Sequence, residues 1–312
     1  MKRGKERVTD TMNHASVLLL DIEGTTTSIS FVKNELFPYV RREVTAYLQS
    51  TWETEETRQD VAALSKQIEE DVTAGVSGSQ PLPSTDDRKE VIAALVANVE
   101  AMMDGDRKVG PLKTLQGHMW RRAYQEGSVT GHVYDDVLPA LEKWRALGKR
   151  IYIYSSGSVA AQKLLFAHSC HGDLLHFFSG HFDTAVGSKV EAQSYRSILS
   201  QLDCAPGEVL FLTDVDKEAY AAAEAGMHVI LSVREGTMPL PKACLDVFST
   251  ITSFAELFQE DSDSPPSPKR ARVEAAEEGK EGEADTLDEA EERKVKEVDS
   301  RKGKREEKTA KK

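Results

Sequence analysis

The run VLLLDIEGTTTS at residues 17–28, in which an apolar segment ends on two acids, constrains this chain most strongly. A short continuous apolar run followed by turn residues is typical of a strand buried on both faces. Asp21 and Glu23 follow it directly, before Gly24 and three threonines. Carboxylates at that point contribute nothing to a core, so the run predicts a strand that presents charge to a ligand.

The second half of the chain predicts a parallel sheet, because strand and helix patterns alternate from about residue 136 onward. The predicted strands cover residues 149–156, 180–188, 208–214 and 227–233. Helices lie between them, one with Ser158 as its N-cap. Strands that alternate with helices indicate right-handed crossovers, so the expected fold class is α/β, a doubly wound parallel sheet.

A helical insertion separates the first strand from the others. Apolar residues recur at helical spacing in four segments, residues 35–52, 57–72, 88–103 and 112–125. We therefore expect a helical cap at 33–130, inserted into an α/β core formed by 12–32 and 131–258. An insertion there would stand over the carboxyl ends of the strands, where ligands of open α/β sheets bind.

Residues 259–312 are expected to form a disordered, charged tail, because they lack the apolar residues that could offset the entropy of ordering. The sequence identifies no partner for this tail. Its PKRAR cluster at 268–272 is compatible with nuclear localisation, although short basic runs are more often simply solvated.

The net charge of −12 argues against a nucleic-acid-binding protein. The three cysteines form no CxxC pair, which is typical of a reducing compartment. The first apolar run is too short for a signal peptide or a membrane span. We expect a cytoplasmic protein, with the nucleus as an additional location and no membrane partner. Without an apolar heptad run, a monomer is the default.

Polar and charged side chains gather at the carboxyl ends of the predicted strands. They are Asp21, Glu23, Ser155, Ser156, Lys189, Asp214 and Glu218. Serines at a helix N-terminus can bind phosphate oxygens, and a lysine can neutralise developing negative charge. Acids can hold Mg²⁺, and one of them can attack phosphorus. The set predicts Mg²⁺-dependent phosphoryl transfer through an aspartate.

Four segments carry a family resemblance: LLLDIEGTTTS, YIYSSGSVAAQKLLF, GSKVEAQSY and LFLTDVDKEA. In order and spacing they resemble the four motifs of haloacid dehalogenase-type phosphatases, over about residues 15–258. Within these, DIEGTTT, the paired serines and LQGHMW make the chain similar to the enolase-phosphatases (acireductone synthases) of methionine salvage. Most members of the superfamily have Asp where Glu23 stands.

The resemblance implies roles for the acids. Asp21 would be the nucleophile, and Glu23 the acid/base that protonates the leaving oxygen and then activates water. One Mg²⁺ per subunit would be held by Asp21, Asp214 and the backbone carbonyl of Glu23. Glu218 would orient a neighbour, either Lys189 or a water on the metal.

The remaining implied residues bind substrate: Ser155 and Ser156 as a pair, and Lys189 as the phosphate-neutralising lysine. The implied substrate is a small phosphorylated diketone, 2,3-diketo-5-methylthiopentyl 1-phosphate. It would be converted to its enol phosphate and then to acireductone and phosphate. A phosphatase acting on another small ester without enolisation is the alternative. A catalytically idle scaffold would be expected to lack Asp21, Lys189 or Asp214, and none is missing.

Two further patterns leave alternatives open. Histidines and Cys170 crowd residues 167–181, but their spacing matches no structural zinc pattern. In the cap, His118 and Trp120 are equally compatible with core packing and with substrate contact.

Overall fold

A computed structural model describes residues 8–258, and within them six parallel strands form one sheet in the order β3-β2-β1-β4-β5-β6. The strands are β1 Val17–Leu20, β2 Arg150–Tyr154, β3 Gly180–Phe182, β4 Val209–Thr213, β5 His228–Ser232 and β6 Ser249–Ile251. This arrangement confirms the predicted α/β, doubly wound fold. The predicted tail and its basic cluster lie outside the described residues.

Strand β1 lies in the middle of the sheet and is completely buried. Leu20 is in register with Ile153 on one side and with Leu212 on the other. Leu18 and Leu20 pack into the hydrophobic cluster on one face, whereas Val17 and Leu19 pack into the cluster on the opposite face. Successive side chains of a strand alternate between faces, so an unbroken apolar run fits a strand covered on both sides.

Helices cover both faces of the sheet. In the core they are α1 Val8–His14, α7 Val137–Ala146, α8 Val159–Ala167, α9 Ala192–Leu202, α10 Asp216–Glu224 and α11 Lys242–Leu245. The N-cap prediction is confirmed, since Ser158 Oγ accepts a hydrogen bond from Ala161 N at 3.3 Å. No helix in the described part of the chain is long and apolar enough to cross a membrane.

The insertion contains α2 Ile29–Phe31, a π-helical turn Val32–Leu36, α3 Phe37–Thr51, α4 Glu55–Thr73, α5 Arg88–Asp104 and α6 Gly110–Gln125. These helices bury a hydrophobic cluster distinct from the two that flank the sheet, with Leu48, Leu64, Leu95 and Leu115 fully enclosed. A separate cluster supports the predicted cap, although the domain boundaries themselves stay a prediction.

Several elements differ from the sequence-based expectations, among them the following. Helix α1 was not predicted, because only a few buried residues, such as Met12, mark it within a polar segment. Strand β6 was also missed, since three residues are too few to show a period. The predicted strand at 180–188 is strand only over Gly180–Phe182 and continues as a 3₁₀ turn.

Candidate active site

The site lies where the strand order reverses. From β1 the chain crosses to β2 on one side and later returns to β4 on the other, which leaves a crevice at the carboxyl ends of β1 and β4. Asp21 follows β1, and Asp214 follows β4. Asp21 N donates to Leu212 O at 2.9 Å, so the two strand ends stay paired up to the first acid.

Lys189 connects two of the acids. Its Nζ lies 2.6 Å from Asp21 Oδ1 and 2.8 Å from Glu218 Oε2, and all three residues are buried. Tyr195 Oη donates to Lys189 O at 2.7 Å, and Thr213 Oγ1 donates to Glu218 Oε2 at 2.8 Å. Burial alone would lower the pKa of Lys189, but the adjacent carboxylates outweigh it and raise that pKa.

Asp214 is buried and forms no ion pair with any residue in the described range. Burial, and then the charges of Asp21 and Glu218, raise the pKa of Asp214 to about 7. Gly24, at a φ of +73°, brings the loop after β1 against this carboxylate, and a Cβ there would overlap Asp214 Oδ2. The loop therefore closes over Asp214 without supplying a cation.

These groups fit a hard divalent cation. Lys189 contacts the carboxylates of Asp21 and Glu218, and Asp214 adds a third buried carboxylate, so negative charge is in excess in a buried place. Among the described residues no cluster of three or more His, Cys, Asp or Glu side chains is arranged to hold a metal. The predicted ligand set needs only two side chains, because Glu23 would contribute its backbone carbonyl.

Glu23 stands at the border between the carboxylate cluster and an open cavity. It is half-buried and lines the cavity directly. Burial, and then the charge of Asp21, raise the pKa of Glu23, whereas Lys189 and Lys108 act in the opposite direction. A raised pKa favours the protonated carboxyl more than in an ordinary glutamate, which is the direction that a proton-donating residue needs.

The paired serines line the same cavity, in the turn between β2 and α8. Ser155 is buried, its N donates to Phe182 O at 3.3 Å, and its Oγ accepts from Gly157 N at 3.3 Å. Ser156 is exposed. The structure thus places both serines beside the N-terminus of α8, where anions are favoured.

The cavity has a volume of about 750 Å³ and lies between this turn and the cap. Its cap side has an apolar part, which includes Leu36, Phe37, Leu112 and Trp120, and a charged part, which includes Lys33 and Lys113. Glu23, two residues after Asp21, and Ser155 are the lining residues that adjoin the carboxylate cluster in sequence or at the strand ends, whereas Asp21, Lys189 and Asp214 do not line the cavity themselves. A volume of this size suits a small organic ligand.

His118 and Trp120, the two cap residues for which the sequence left core packing and substrate contact as alternatives, have different surroundings. Trp120 lines the cavity, and its Nε1 donates to Leu36 O at 3.0 Å. His118 points into the cap instead, where its Nδ1 lies 2.8 Å from Asp60 Oδ2. The sequence reasoning missed Gln116, which lines the cavity one helical turn before Trp120. The i, i+4 spacing from Trp120 is the signal that could have found it.

Comparisons with known proteins agree with this geometry. A sequence model of haloacid dehalogenase-like hydrolases matches residues 15–226. Enolase-phosphatase E1 of Anopheles gambiae is 52% identical over 243 residues, which cover 78% of this chain and 82% of that protein. A protein of Populus trichocarpa named "Probable bifunctional methylthioribulose-1-phosphate dehydratase/enolase-phosphatase E1" is 52% identical over 242 residues, which cover 77% of this chain and 46% of that protein. The crystal structure of the UTR4 protein of Saccharomyces cerevisiae aligns with a TM-score of 0.61 and 32% identity, covering 77% of this chain and 98% of that one.

Proposed function

Because the chain belongs to the enolase-phosphatase E1 family of haloacid dehalogenase-like hydrolases, we propose that Asp21 is its nucleophile toward phosphorus. The chain is a phosphatase of methionine salvage. The observation that carries the role of Asp21 is its contact with Lys189. The ammonium binds Oδ1, and no described residue hydrogen-bonds to Oδ2, which leaves that oxygen free to attack.

The proposed substrate is 2,3-diketo-5-methylthiopentyl 1-phosphate. Loss of water from a methylthioribulose 1-phosphate gives this diketone, and the poplar relative is named for such a dehydratase joined to the enolase-phosphatase. The apolar side of the cavity suits the methylthio end, and the serine turn suits the phosphate. The products would be acireductone and phosphate.

Two displacements at phosphorus complete the hydrolysis. Asp21 Oδ2 forms a bond to phosphorus while the bond to the substrate oxygen breaks, and the Glu23 carboxyl gives its proton to that oxygen. A water then attacks the phosphorus of the aspartyl phosphate and passes a proton to Glu23, which restores both acids. Ser155, Ser156 and Lys189 bind the phosphoryl oxygens throughout.

The proposed cofactor is one Mg²⁺, held by Asp21, Asp214 and the backbone carbonyl of Glu23. When bound, it would neutralise negative charge on phosphoryl oxygens and on the enol oxygen of the substrate. Glu218 holds Lys189 in place through the 2.8 Å contact. This contact favours a role in orienting Lys189 over a role in orienting a water on the metal.

We propose a cytoplasmic monomer whose ligand is its small phosphorylated substrate, without a nucleic-acid or membrane partner. Cys170, Cys204 and Cys244 are all free thiols, which is typical of a reducing compartment. An additional nuclear location would depend on the basic cluster at 268–272, which lies outside the described residues.

The test is an assay of purified protein with the diketone phosphate, with and without Mg²⁺, that follows enediol absorbance and phosphate release. We expect both signals only with the metal, and no phosphate from Asp21→Asn. The control is Asp86→Asn, the same change at an exposed position in the cap, which should behave as wild type. Release of phosphate from simple esters, with this diketone left untouched, would support the alternative phosphatase without enolisation.

A further inference from the structure

One buried carboxamide in the cap has no partner. Gln116 on α6 is only 4% exposed and lines the cavity, yet its side chain hydrogen-bonds to no residue in the described range. Its amide atoms are not among the described polar atoms that are both unpaired and fully enclosed, so they keep some open surface. The cavity is the open space that this residue borders, and the carboxamide therefore faces it.

A second carboxamide shows how the same cap satisfies a structural amide. Asn98 on α5 is 1% exposed and makes three hydrogen bonds. Its Oδ1 accepts from Gln80 N at 3.0 Å, and its Nδ2 donates to Gln80 O at 3.0 Å and to Ala94 O at 2.9 Å. Buried polar groups in native proteins are nearly always paired in this way. Gln116 departs from that rule where it borders the cavity, so a bound ligand can supply the missing partner.

In the described part of the chain, the neighbours of Gln116 on α6 form no hydrogen bond with its side chain. Leu112 and Trp120 lie one turn before and after it on α6, and both line the cavity. The carbonyl of Leu36, which also borders the cavity, is already used by Trp120 Nε1. The carboxamide thus stands between two apolar side chains of α6 and borders the same cavity as Glu23 and the serine turn.

We propose that Gln116 is a specificity-determining residue that hydrogen-bonds the two carbonyl oxygens in the middle of the substrate. This inference rests on the proposed function. The serine turn and Lys189 account for the phosphate, and the apolar part of the cap side accounts for the methylthio end. The dicarbonyl segment between them needs a polar partner that can both donate and accept a hydrogen bond, and Gln116 borders the cavity with such a group.

A carboxamide suits both tautomers of this segment. Its N–H₂ group donates to the carbonyl oxygens of the diketone, and its oxygen accepts from the hydroxyl of the enol. Enolisation moves a proton from the carbon that bears the phosphate ester to the neighbouring carbonyl oxygen, so a donor is needed before the step and an acceptor after it. A lysine could not accept, and an ionised glutamate could not donate.

The test compares Gln116→Met with Gln125→Met, the same change on an exposed position of the same helix. Each variant is assayed with the diketone phosphate and with phenyl phosphate, which has no carbonyl. We expect Gln116→Met to lower kcat/KM for the diketone phosphate about 10- to 100-fold and to leave phenyl phosphate within about twofold. Gln125→Met should match wild type with both esters.

Thermal unfolding separates this role from a structural one. Removing an unpaired buried amide should leave the melting temperature of Gln116→Met unchanged or raise it. The same result is expected of Gln116→Leu, which replaces Gln116→Met in the assays if that variant folds poorly. An equal loss with both esters, or no loss with either, would overturn the inference. Wild-type protein that hydrolyses phenyl phosphate but not the diketone phosphate would instead overturn the proposed function, and this inference would fall with it.

Discussion

At the scale of single residues, the site contains more buried negative charge than positive charge. Lys189 compensates Asp21 and Glu218, whereas Asp214 faces the others without a cation of its own in the described range. The sequence predicted these residue types from their positions after the strands. It did not predict which acid Lys189 would contact, because that depends on the side chains of three separate segments meeting at distances near 3 Å.

The first prediction concerns this lysine. Lys189→Met leaves Asp21 and Glu218 buried without their cation, so the free energy of unfolding should fall by about 3–5 kcal/mol in a chelator, and phosphatase activity should be lost. The double variant Lys189→Met/Glu218→Gln removes one of the stranded charges and should regain part of the stability but no activity. Urea unfolding and phosphate release measure the two effects. A single variant as stable as wild type would contradict the charge account.

At the scale of elements, periodicity was enough to place most helices and strands in their order. It could not show which way each cap residue faces. His118 and Trp120 are two positions apart on α6, yet one pairs with Asp60 of α4 and the other lines the cavity. The π-helical turn before α3, in which Phe37 N donates to Val32 O, was also beyond the sequence pattern, since its hydrogen bonds span five residues instead of the four of an α-helix.

The loop between α5 and α6 carries Lys108 to the cavity, and an ion pair fixes this loop to α4. Arg107 Nη2 donates to Asp71 Oδ1 at 2.8 Å, and Nη1 contacts Oδ2, so the pair is bidentate. Asp71 is buried, with a side chain only 4% exposed. Hydrogen bonds from Arg107 lower the pKa of Asp71 below its usual value, which means that the folded protein favours the ionised form.

The second prediction follows from that pair. Asp71→Asn should lower the free energy of unfolding at pH 7 by about 1–3 kcal/mol. Because the folded pKa is lowered, the difference from wild type should be complete above about pH 4 and should shrink as the pH falls further. The control is Asp104→Asn, which breaks the exposed pair with Arg41 and should cost less than about 1 kcal/mol. Equal effects of the two variants in urea unfolding would contradict this reasoning.

At the scale of the whole molecule, an acidic chain must admit an anionic substrate. The net charge is −12, yet the cap side of the cavity is lined by the cations Lys33, Arg41, Arg107, Lys108 and Lys113. Arg41 and Arg107 are paired with acids, whereas Lys33 and Lys113 form no ion pair with a described residue. A cleft lined by one sign of charge concentrates ligands of the opposite sign, even on a protein of unfavourable net charge.

The third prediction tests this local field. The double variant Lys33→Gln/Lys113→Gln should lower kcat/KM by about tenfold at low salt, because the mouth of the cavity loses positive charge. The difference should narrow as ionic strength rises toward about 0.3 M, where screening is strong. Lys66→Gln removes an exposed lysine of α4 that does not line the cavity and is the matched control. A loss that is independent of salt would indicate direct contact with the substrate instead of steering.

The central claim is that Asp21 takes the phosphoryl group and that Glu23 later activates the water that removes it. The Glu23→Gln variant with p-nitrophenyl phosphate and Mg²⁺ isolates the first step, because nitrophenolate leaves without needing a proton and the second step then lacks its base.

The most direct measurement is therefore the rapid release of nitrophenolate from Glu23→Gln, followed by acid quench and mass-spectrometric mapping of the phosphate. We predict a burst of nitrophenolate that approaches one equivalent per protein chain, with phosphate on Asp21. The double variant Asp21→Asn/Glu23→Gln should show no burst. Steady turnover without a burst, and with Asp21 unmodified, would contradict the account.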